Sequence, residues 1–224
     1  MSRESKNERR RFDSLPPAIQ YTNANRMQQS VHTTILSTEA GSRLISDVFD
    51  DADLLDQCVA ETGPLLAVRP PLVMADGRTY QHNRDVGFFS DASGGYAYSG
   101  QRGHAAPLTP SLPALIARIN AMFDTNFNGV LVNRYNSGAD NVGPHSDSEV
   151  HVSNIGVVSL AWGATRTFRV RDRATNRRVA DVPSEHGRIL WMAGPFQDEF
   201  KHEIPKQLRV TEPRVSFTFR RHTA

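Results

Sequence analysis

Residues 213–221 read PRVSFTFRR, a stretch in which apolar and polar side chains alternate. Alternation with a period of two is typical of a β-strand that has one face in the core. The three large apolar residues of this stretch then share one face, while Arg214 and Arg220 share the other. Two arginines that face a protein interior are costly unless an anion pairs with them. This strand therefore predicts both a β-rich fold and a buried anion site.

Four further segments of the C-terminal half have the same β-type composition, with turn residues between them. They are NGVLVNRY (128–135), NIGVVSLAW (154–162), RTFRVRD (166–172) and GRILWMAG (187–194). Upstream, apolar spacing predicts two helices, one over residues 42–60 capped by Ser42 and one over Thr109–Phe123. The sequence therefore predicts an α+β protein with flanking helices, whose main body is a β-sandwich or jelly roll.

The composition, with 224 residues, 38% hydrophobic and 22% charged, fits one globular domain. Because the sequence shows neither a membrane-spanning apolar run nor a secretory signal, we expect a soluble intracellular monomer, cytoplasmic or nuclear. The single cysteine, Cys58, excludes an internal disulfide framework and a multi-cysteine zinc site. Residues 1–30 are polar with three arginines at 9–11, which predicts a flexible basic tail before a domain over 31–224.

The basic residues are strongly biased, since 23 of the 26 are arginine. Arginine pairs with phosphate and stacks on bases, so this bias is compatible with a nucleic-acid partner. A genome that favours arginine codons would explain it equally well. Six of these arginines fall in RTFRVRDRATNRR, residues 166–178, where either phosphate contact or a solvated hairpin tip would account for them.

The motif that points to chemistry is PHSDSE, residues 144–149. His145 and Asp147 stand two apart, so on a strand they point to the same face. His202, in FKHEIPK, is a third candidate that a closed jelly roll can bring beside them. Two imidazoles and one carboxylate leave coordination positions open, which suits a non-haem Fe(II) centre that binds a co-substrate and O₂. The alternative for His145 is an ordinary surface or core histidine.

A second group of residues suits a small dicarboxylate. Arg214 and Arg220 could bind it through charge-assisted forks, and Asn133 and Tyr135, which share a face, could donate hydrogen bonds to it. The alternative for the two arginines is an exposed strand face.

The order and spacing of these elements are more specific than any of them alone. His145 comes ten positions after Tyr135, and Arg214 comes twelve positions after His202. This arrangement resembles the AlkB family of Fe(II)- and 2-oxoglutarate-dependent dioxygenases, and most of all its members that repair alkylated DNA and RNA. The resemblance covers roughly residues 95–222 and implies a double-stranded β-helix. It also includes YSG (98–100), SLAWGATRTF (159–168) and HEIPK (202–206).

The resemblance implies a role for each site residue and a reaction. The Fe(II) ligands would be His145, Asp147 and His202. The residues that bind 2-oxoglutarate would be Asn133, Tyr135, Arg214 and Arg220. In the family, O₂-dependent decarboxylation of 2-oxoglutarate is coupled to hydroxylation of an N-alkyl carbon, and the product collapses to formaldehyde and the restored base.

Three residues match the family's substrate pocket. Tyr96 and Tyr98 would hold a base taken out of its stack, and Glu149 would accept a hydrogen bond from the exocyclic amine of adenine or cytosine. Sheet packing and a solvated loop carboxylate are the respective alternatives. The resemblance thus implies a demethylase of 1-methyladenine or 3-methylcytosine in DNA or RNA. Two other functions stay open: an oxygenase that acts on a protein or small molecule, and a non-catalytic nucleic-acid-binding β-sandwich.

Overall fold

The structure is a computed structural model that describes residues 32–73, 77–98, 101–147 and 155–222. The predicted basic tail lies outside these residues and stays a prediction. In the described part of the chain, no helix is both long enough and apolar enough to cross a membrane.

The described residues form fifteen strands and three α-helices. The strands are β1 (Thr33–Ser37), β2 (Arg43–Val48), β3 (Pro71–Val73), β4 (Thr79–Gln81), β5 (Asp85–Phe89), β6 (Tyr96–Tyr98), β7 (Gln101–Gly103), β8 (Gly129–Tyr135), β9 (Val142–His145), β10 (Val157–Gly163), β11 (Arg166–Asp172), β12 (Arg178–Ser184), β13 (Arg188–Ala193), β14 (Phe200–Ile204) and β15 (Arg214–Arg220). The helices are α1 (Ala52–Thr62), α2 (Leu112–Phe123) and α3 (Phe196–Glu199).

Two antiparallel sheets form the body of the protein. The major sheet has seven strands in the order β1-β2-β13-β10-β15-β8-β5, and the minor sheet has four in the order β12-β11-β14-β9. Side chains from both sheets meet in one buried cluster, which includes Leu190 of β13 and Val170 of β11. The remaining strands form two short hairpins, β3-β4 and β6-β7. This confirms the predicted α+β fold, a jelly roll with flanking helices.

The alternation in β15 explains how the layers are ordered. Val215, Phe217 and Phe219 are at most 3% exposed and pack with apolar residues of α1 and α2 on the outer face of the major sheet. Arg214 and Arg220 consequently point into the space between the two sheets, where they line a shared pocket. Burial of the apolar face thus forces the arginines inward.

The helix predicted over residues 42–60 is wrong in its first half. Residues Arg43–Val48 form β2, which pairs with both β1 and β13, so sheet pairing outweighs the local helical spacing. The helix begins only at Ala52, where the carboxylate of Asp51 accepts a hydrogen bond from the backbone N–H of Leu54 at 3.0 Å. The predicted cap, Ser42, instead donates its hydroxyl to Glu199.

Candidate functional site

Three candidate metal ligands come together between the sheets. His145 ends β9 and lies directly opposite His202 of β14, with their ring centroids 4.3 Å apart. Asp147 follows β9, and its carboxylate lies 3.8 Å from Nε2 of His145 and 3.7 Å from Nε2 of His202. One ligand atom from each residue lies within 4.8 Å of the others. Two imidazoles and one carboxylate can therefore bind a single cation from one side.

Neighbouring groups orient these three side chains. Nδ1 of His145 lies 2.9 Å from the carbonyl oxygen of Gly143, so in a neutral ring Nδ1 carries the hydrogen and Nε2 keeps its lone pair. The ring of His202 stacks on Phe168 with a centroid distance of 5.3 Å. The backbone N–H of Asp147 donates to the side-chain amide oxygen of Gln197 at 2.9 Å. Contacts within the protein thus set the orientation of these three side chains.

The protonation states also suit a metal. Burial lowers the pKa of both histidines, that of His202 to about 3, so both rings are neutral and able to bind a cation. Burial alone would raise the pKa of Asp147, but the guanidinium of Arg220 at 2.7 Å outweighs it and lowers that pKa. In the described part of the chain, Oδ2 of Asp147 has no hydrogen-bond partner. A bound cation would satisfy this buried carboxylate oxygen.

A cationic pocket adjoins these ligands. It is lined on the major-sheet side by Asn133, Tyr135, Arg214 and Arg220, so the four residues predicted to bind an anion do lie together. Arg214 is 1% exposed, and its only hydrogen bond within the described ranges joins Nη2 to Oγ of Ser184 at 3.1 Å. Burial lowers its pKa to about 10, which still leaves it a cation at neutral pH. A buried cation with so few hydrogen bonds and no carboxylate partner among the described residues is suited to bind an anion from outside the chain.

The sequence did not predict a third arginine of this pocket. Arg84 is 6% exposed and donates from Nε to the side-chain oxygen of Asn133 at 2.7 Å. Arg220 pairs with Asp147, but neither Arg84 nor Arg214 has a carboxylate partner among the described residues. Two unpaired guanidinium groups therefore face the pocket, as a dianionic ligand would require.

The profile of the 2OG-Fe(II) oxygenase superfamily matches residues 42–220. The chain belongs to this superfamily. Its human relatives include a protein named DNA oxidative demethylase ALKBH2, 32% identical over 157 residues that cover 66% of this chain and 60% of that protein. They also include alpha-ketoglutarate-dependent dioxygenase alkB homolog 3, 34% identical over 152 residues that cover 63% of this chain and 52% of that protein. The chain thus spans about half to 60% of the length of these curated relatives.

The fold of this 2OG-Fe(II) oxygenase is also found in a solved structure, that of OsALKBH1. The two superpose with a TM-score of 0.53 over 80% of this chain and 96% of that one, at 15% identity. At this identity the likeness concerns the fold alone. The sequence relatives confirm the resemblance to the AlkB family. Membership also confirms Fe(II), 2-oxoglutarate and O₂ as the cofactors that the sequence predicts.

The side chains of the predicted substrate residues lie outside what the structure of this oxygenase describes. Glu149 is not among the described residues, and for Tyr96 and Tyr98 only the backbone is described, as strand β6. Their roles stay predictions.

The arginine-rich segment 166–178 is less open to solvent than its sequence indicates. Arg166 is buried, and Arg171 pairs through Nε with Glu203 at 2.7 Å. Arg169 pairs with Asp181, also at 2.7 Å. These three arginines are therefore held within the protein, which favours the structural interpretation for them. Arg173, Arg177 and Arg178 are exposed at the hairpin tip, so for these three both interpretations stay open.

Proposed function

We propose that this chain is an Fe(II)- and 2-oxoglutarate-dependent dioxygenase that removes alkyl groups from nucleobases. The observation that carries the proposal is the buried guanidinium of Arg214, which lacks a carboxylate partner in the described structure and lines the same pocket as the three candidate metal ligands. A pocket that holds both a cation site and a binding site for a dianion suits a metal that takes a small dicarboxylate as co-substrate.

In this proposal the residues have distinct tasks. His145, Asp147 and His202 bind Fe(II). Arg214 binds one carboxylate of 2-oxoglutarate through a charge-assisted fork, while Arg220 keeps Asp147 ionised at the metal-bound end. Asn133 and Tyr135 complete the co-substrate site as hydrogen-bond donors. Iron with bound 2-oxoglutarate supplies the oxidising power that inserts one oxygen atom of O₂ into a C–H bond of the alkyl group, while 2-oxoglutarate becomes succinate and CO₂.

A second cavity adjoins the pocket, which supports the proposal that the substrate enters from the side of this cavity. Its volume is about 300 Å³, and it shares Arg84 and Leu131 with the site between the sheets. Apolar side chains such as Phe88 and Val86 line it together with His82. A flat heteroaromatic base taken out of its stack suits such a wall, because its faces are apolar and its edges are polar.

The relatives support nucleic acid as the substrate class, since one of them is named a DNA oxidative demethylase. Glu149 and the two tyrosines of β6 would then recognise the base, and 1-methyladenine and 3-methylcytosine are the lesions proposed. A nucleic-acid substrate implies a cytoplasmic or nuclear location. A monomer is part of this proposal.

The test is an incubation of the purified protein with Fe(II), ascorbate, 2-oxoglutarate and a single-stranded oligonucleotide that contains 1-methyladenine or, in a parallel reaction, 3-methylcytosine. Mass spectrometry follows the oligonucleotide, and succinate is assayed in parallel. We expect the loss of one methyl group only when iron and 2-oxoglutarate are both present. Asp147→Ala should abolish this loss, whereas Asp50→Ala, which removes an exposed carboxylate paired with Arg118, should not.

Two results would contradict the proposal at different levels. Succinate without demethylation of either lesion would retain the oxygenase and reject the nucleobase substrate. No succinate from a protein that binds Fe(II) would reject the oxygenase itself, and retained nucleic-acid binding would then favour the non-catalytic module.

A further inference from the structure

We propose that Arg166 is a positioning residue for the co-substrate: it holds the ring of Tyr135 in place and ties together the two loops that connect the iron ligands to the 2-oxoglutarate ligands. The inference rests on the proposed function, because it takes Tyr135 and Arg214 as residues that bind 2-oxoglutarate.

Arg166 is one of the most deeply buried side chains of the protein. It is 1% exposed, and its guanidinium donates hydrogen bonds to four acceptors. These are the carbonyl oxygens of Ser137 at 3.0 Å, Asp140 at 2.8 Å and Pro205 at 2.8 Å, and the side-chain oxygen of Gln207 at 3.3 Å. Three of the four acceptors are backbone carbonyls, so the side chain fixes the backbone conformation around them.

The positions of these acceptors link the metal to the co-substrate. Two of them lie in loop 136–141, which runs from the co-substrate strand β8 to β9, where His145 stands. The other two lie in loop 205–213, which runs from β14, where His202 stands, to the co-substrate strand β15. The loops also bond directly to each other through Gly138, whose N–H donates to the carbonyl oxygen of Val210 at 2.7 Å. One guanidinium therefore fixes both connections between the two halves of the site.

The same guanidinium contacts a residue of the co-substrate pocket. Its central carbon lies 5.7 Å from the ring centroid of Tyr135, and that of Arg214 lies 5.4 Å from the same ring. Tyr135 is only 2% exposed. Both separations fall within the range of a cation–π contact, which is strongest when water is excluded. Arg166 thus reaches the proposed 2-oxoglutarate site through the tyrosine ring without lining the pocket itself.

A purely structural role makes a different prediction. If Arg166 only stabilises the loops, its replacement should lower the free energy of unfolding, and its effect on 2-oxoglutarate binding should be independent of Tyr135. If it acts through the ring, the effects of replacing Arg166 and Tyr135 should not be additive.

The experiment is a double-mutant cycle with Arg166→Lys, Tyr135→Leu and the double variant. The readout is the equilibrium Kd of 2-oxoglutarate on anaerobic Fe(II)-loaded protein, with Fe(II) affinity and thermal unfolding measured in parallel. Arg118→Met, which removes an arginine that is 46% exposed on α2, is the matched control. We expect Arg166→Lys to raise the Kd about tenfold, about 1.4 kcal/mol, and to add little in the Tyr135→Leu background. Fe(II) affinity should change less than about threefold, because Arg166 contacts no iron ligand.

The inference is overturned if Arg166→Lys binds 2-oxoglutarate as tightly as the wild type, or if the effects of the two substitutions multiply. Should Arg166→Lys not fold, Gln207→Ala takes its place in the cycle, because it removes one acceptor and leaves the guanidinium intact. A smaller rise in Kd that disappears in the Tyr135→Leu background is then expected, and the persistence of that rise would count against the inference. A wild-type protein that does not bind 2-oxoglutarate would instead reject the proposed co-substrate site.

Discussion

Replacing Arg214 by methionine should have opposite effects on the ligand-free protein and on co-substrate binding. The substitution keeps a long, unbranched side chain and removes the charge. In the structure, Arg214 is buried and has one hydrogen bond and a contact with the Tyr135 ring, while its Nε and Nη1 have no hydrogen-bond partner among the described residues. These two contacts contribute about 3 kcal/mol together. The cost of burying an unpaired guanidinium is of the same size or larger.

We therefore expect the free energy of unfolding of ligand-free Arg214→Met to stay level or to rise by about 1 kcal/mol, which corresponds to a rise in Tm of about 2–4 °C. Binding of 2-oxoglutarate should weaken by about 3 kcal/mol, about 100-fold, because one partner of a buried charge pair is lost.

Thermal unfolding with and without 2-oxoglutarate measures both effects in one series. At a concentration about 100 times the wild-type Kd, the co-substrate should stabilise the wild type by about 2.7 kcal/mol and the variant by well under 1 kcal/mol. Arg118→Met controls for the loss of one positive charge. The reasoning is refuted if Arg214→Met binds 2-oxoglutarate within a factor of about three of the wild type. A fall of several kcal/mol in the ligand-free protein would refute it equally, since Arg214 would then be a structural residue.

Three further predictions follow from single residues. Asp147→Ala should remove Fe(II) binding, measured by equilibrium dialysis, with little change in oligonucleotide affinity; Fe(II) binding at wild-type strength would exclude Asp147 as a ligand. Gly138→Ala should lower the free energy of unfolding, measured in urea, by about 1–3 kcal/mol, because the new Cβ would lie 1.8 Å from the carbonyl oxygen of Gln207. Gly143→Ala is the control: no atom lies within 4 Å of its Cβ, so the free energy of unfolding should hardly change. Burial and Arg84 lower the pKa of His82 to about 4. Between about pH 6.5 and pH 4 the unfolded chain therefore binds a proton that the folded chain does not, so the free energy of unfolding should fall as the pH drops through this range. His82→Gln should make urea unfolding less dependent on pH in the same range.

The strands and the site on β15 were predictable because one local rule governs them. Alternation puts Val215 and its apolar neighbours on the helix side and leaves Arg214 on the other side, and the structure follows this pattern. Arg166 obeys the same rule, since its position in β11 has the same parity as the buried residues Phe168 and Val170, whereas the half-buried Arg169 lies on the other face. Its burial could have been recognised from that parity, but the richness of the segment in arginine obscured it.

Other features depend on contacts that no local pattern contains. Residues 43–48 have helical spacing, yet they form a strand because β1 and β13 offer partners on both sides. Arg84 comes just before β5 in a stretch without clear periodicity, and only the pairing of β5 with β8 brings it to Asn133. Such residues become visible only when the topology of the sheet is known.

The cross-strand pairing of His145 with His202 has a consequence for how the protein acquires its metal. Backbone hydrogen bonds between β9 and β14 set the spacing of the two imidazoles, and Gly143 and Phe168 set their orientation. Little chain entropy is then lost when a cation arrives, unlike in small domains that fold only around their metal. We therefore expect the chain to fold completely in iron-poor cells and to persist there as folded, inactive apoprotein. Activity would then respond to a change in iron supply without new protein synthesis.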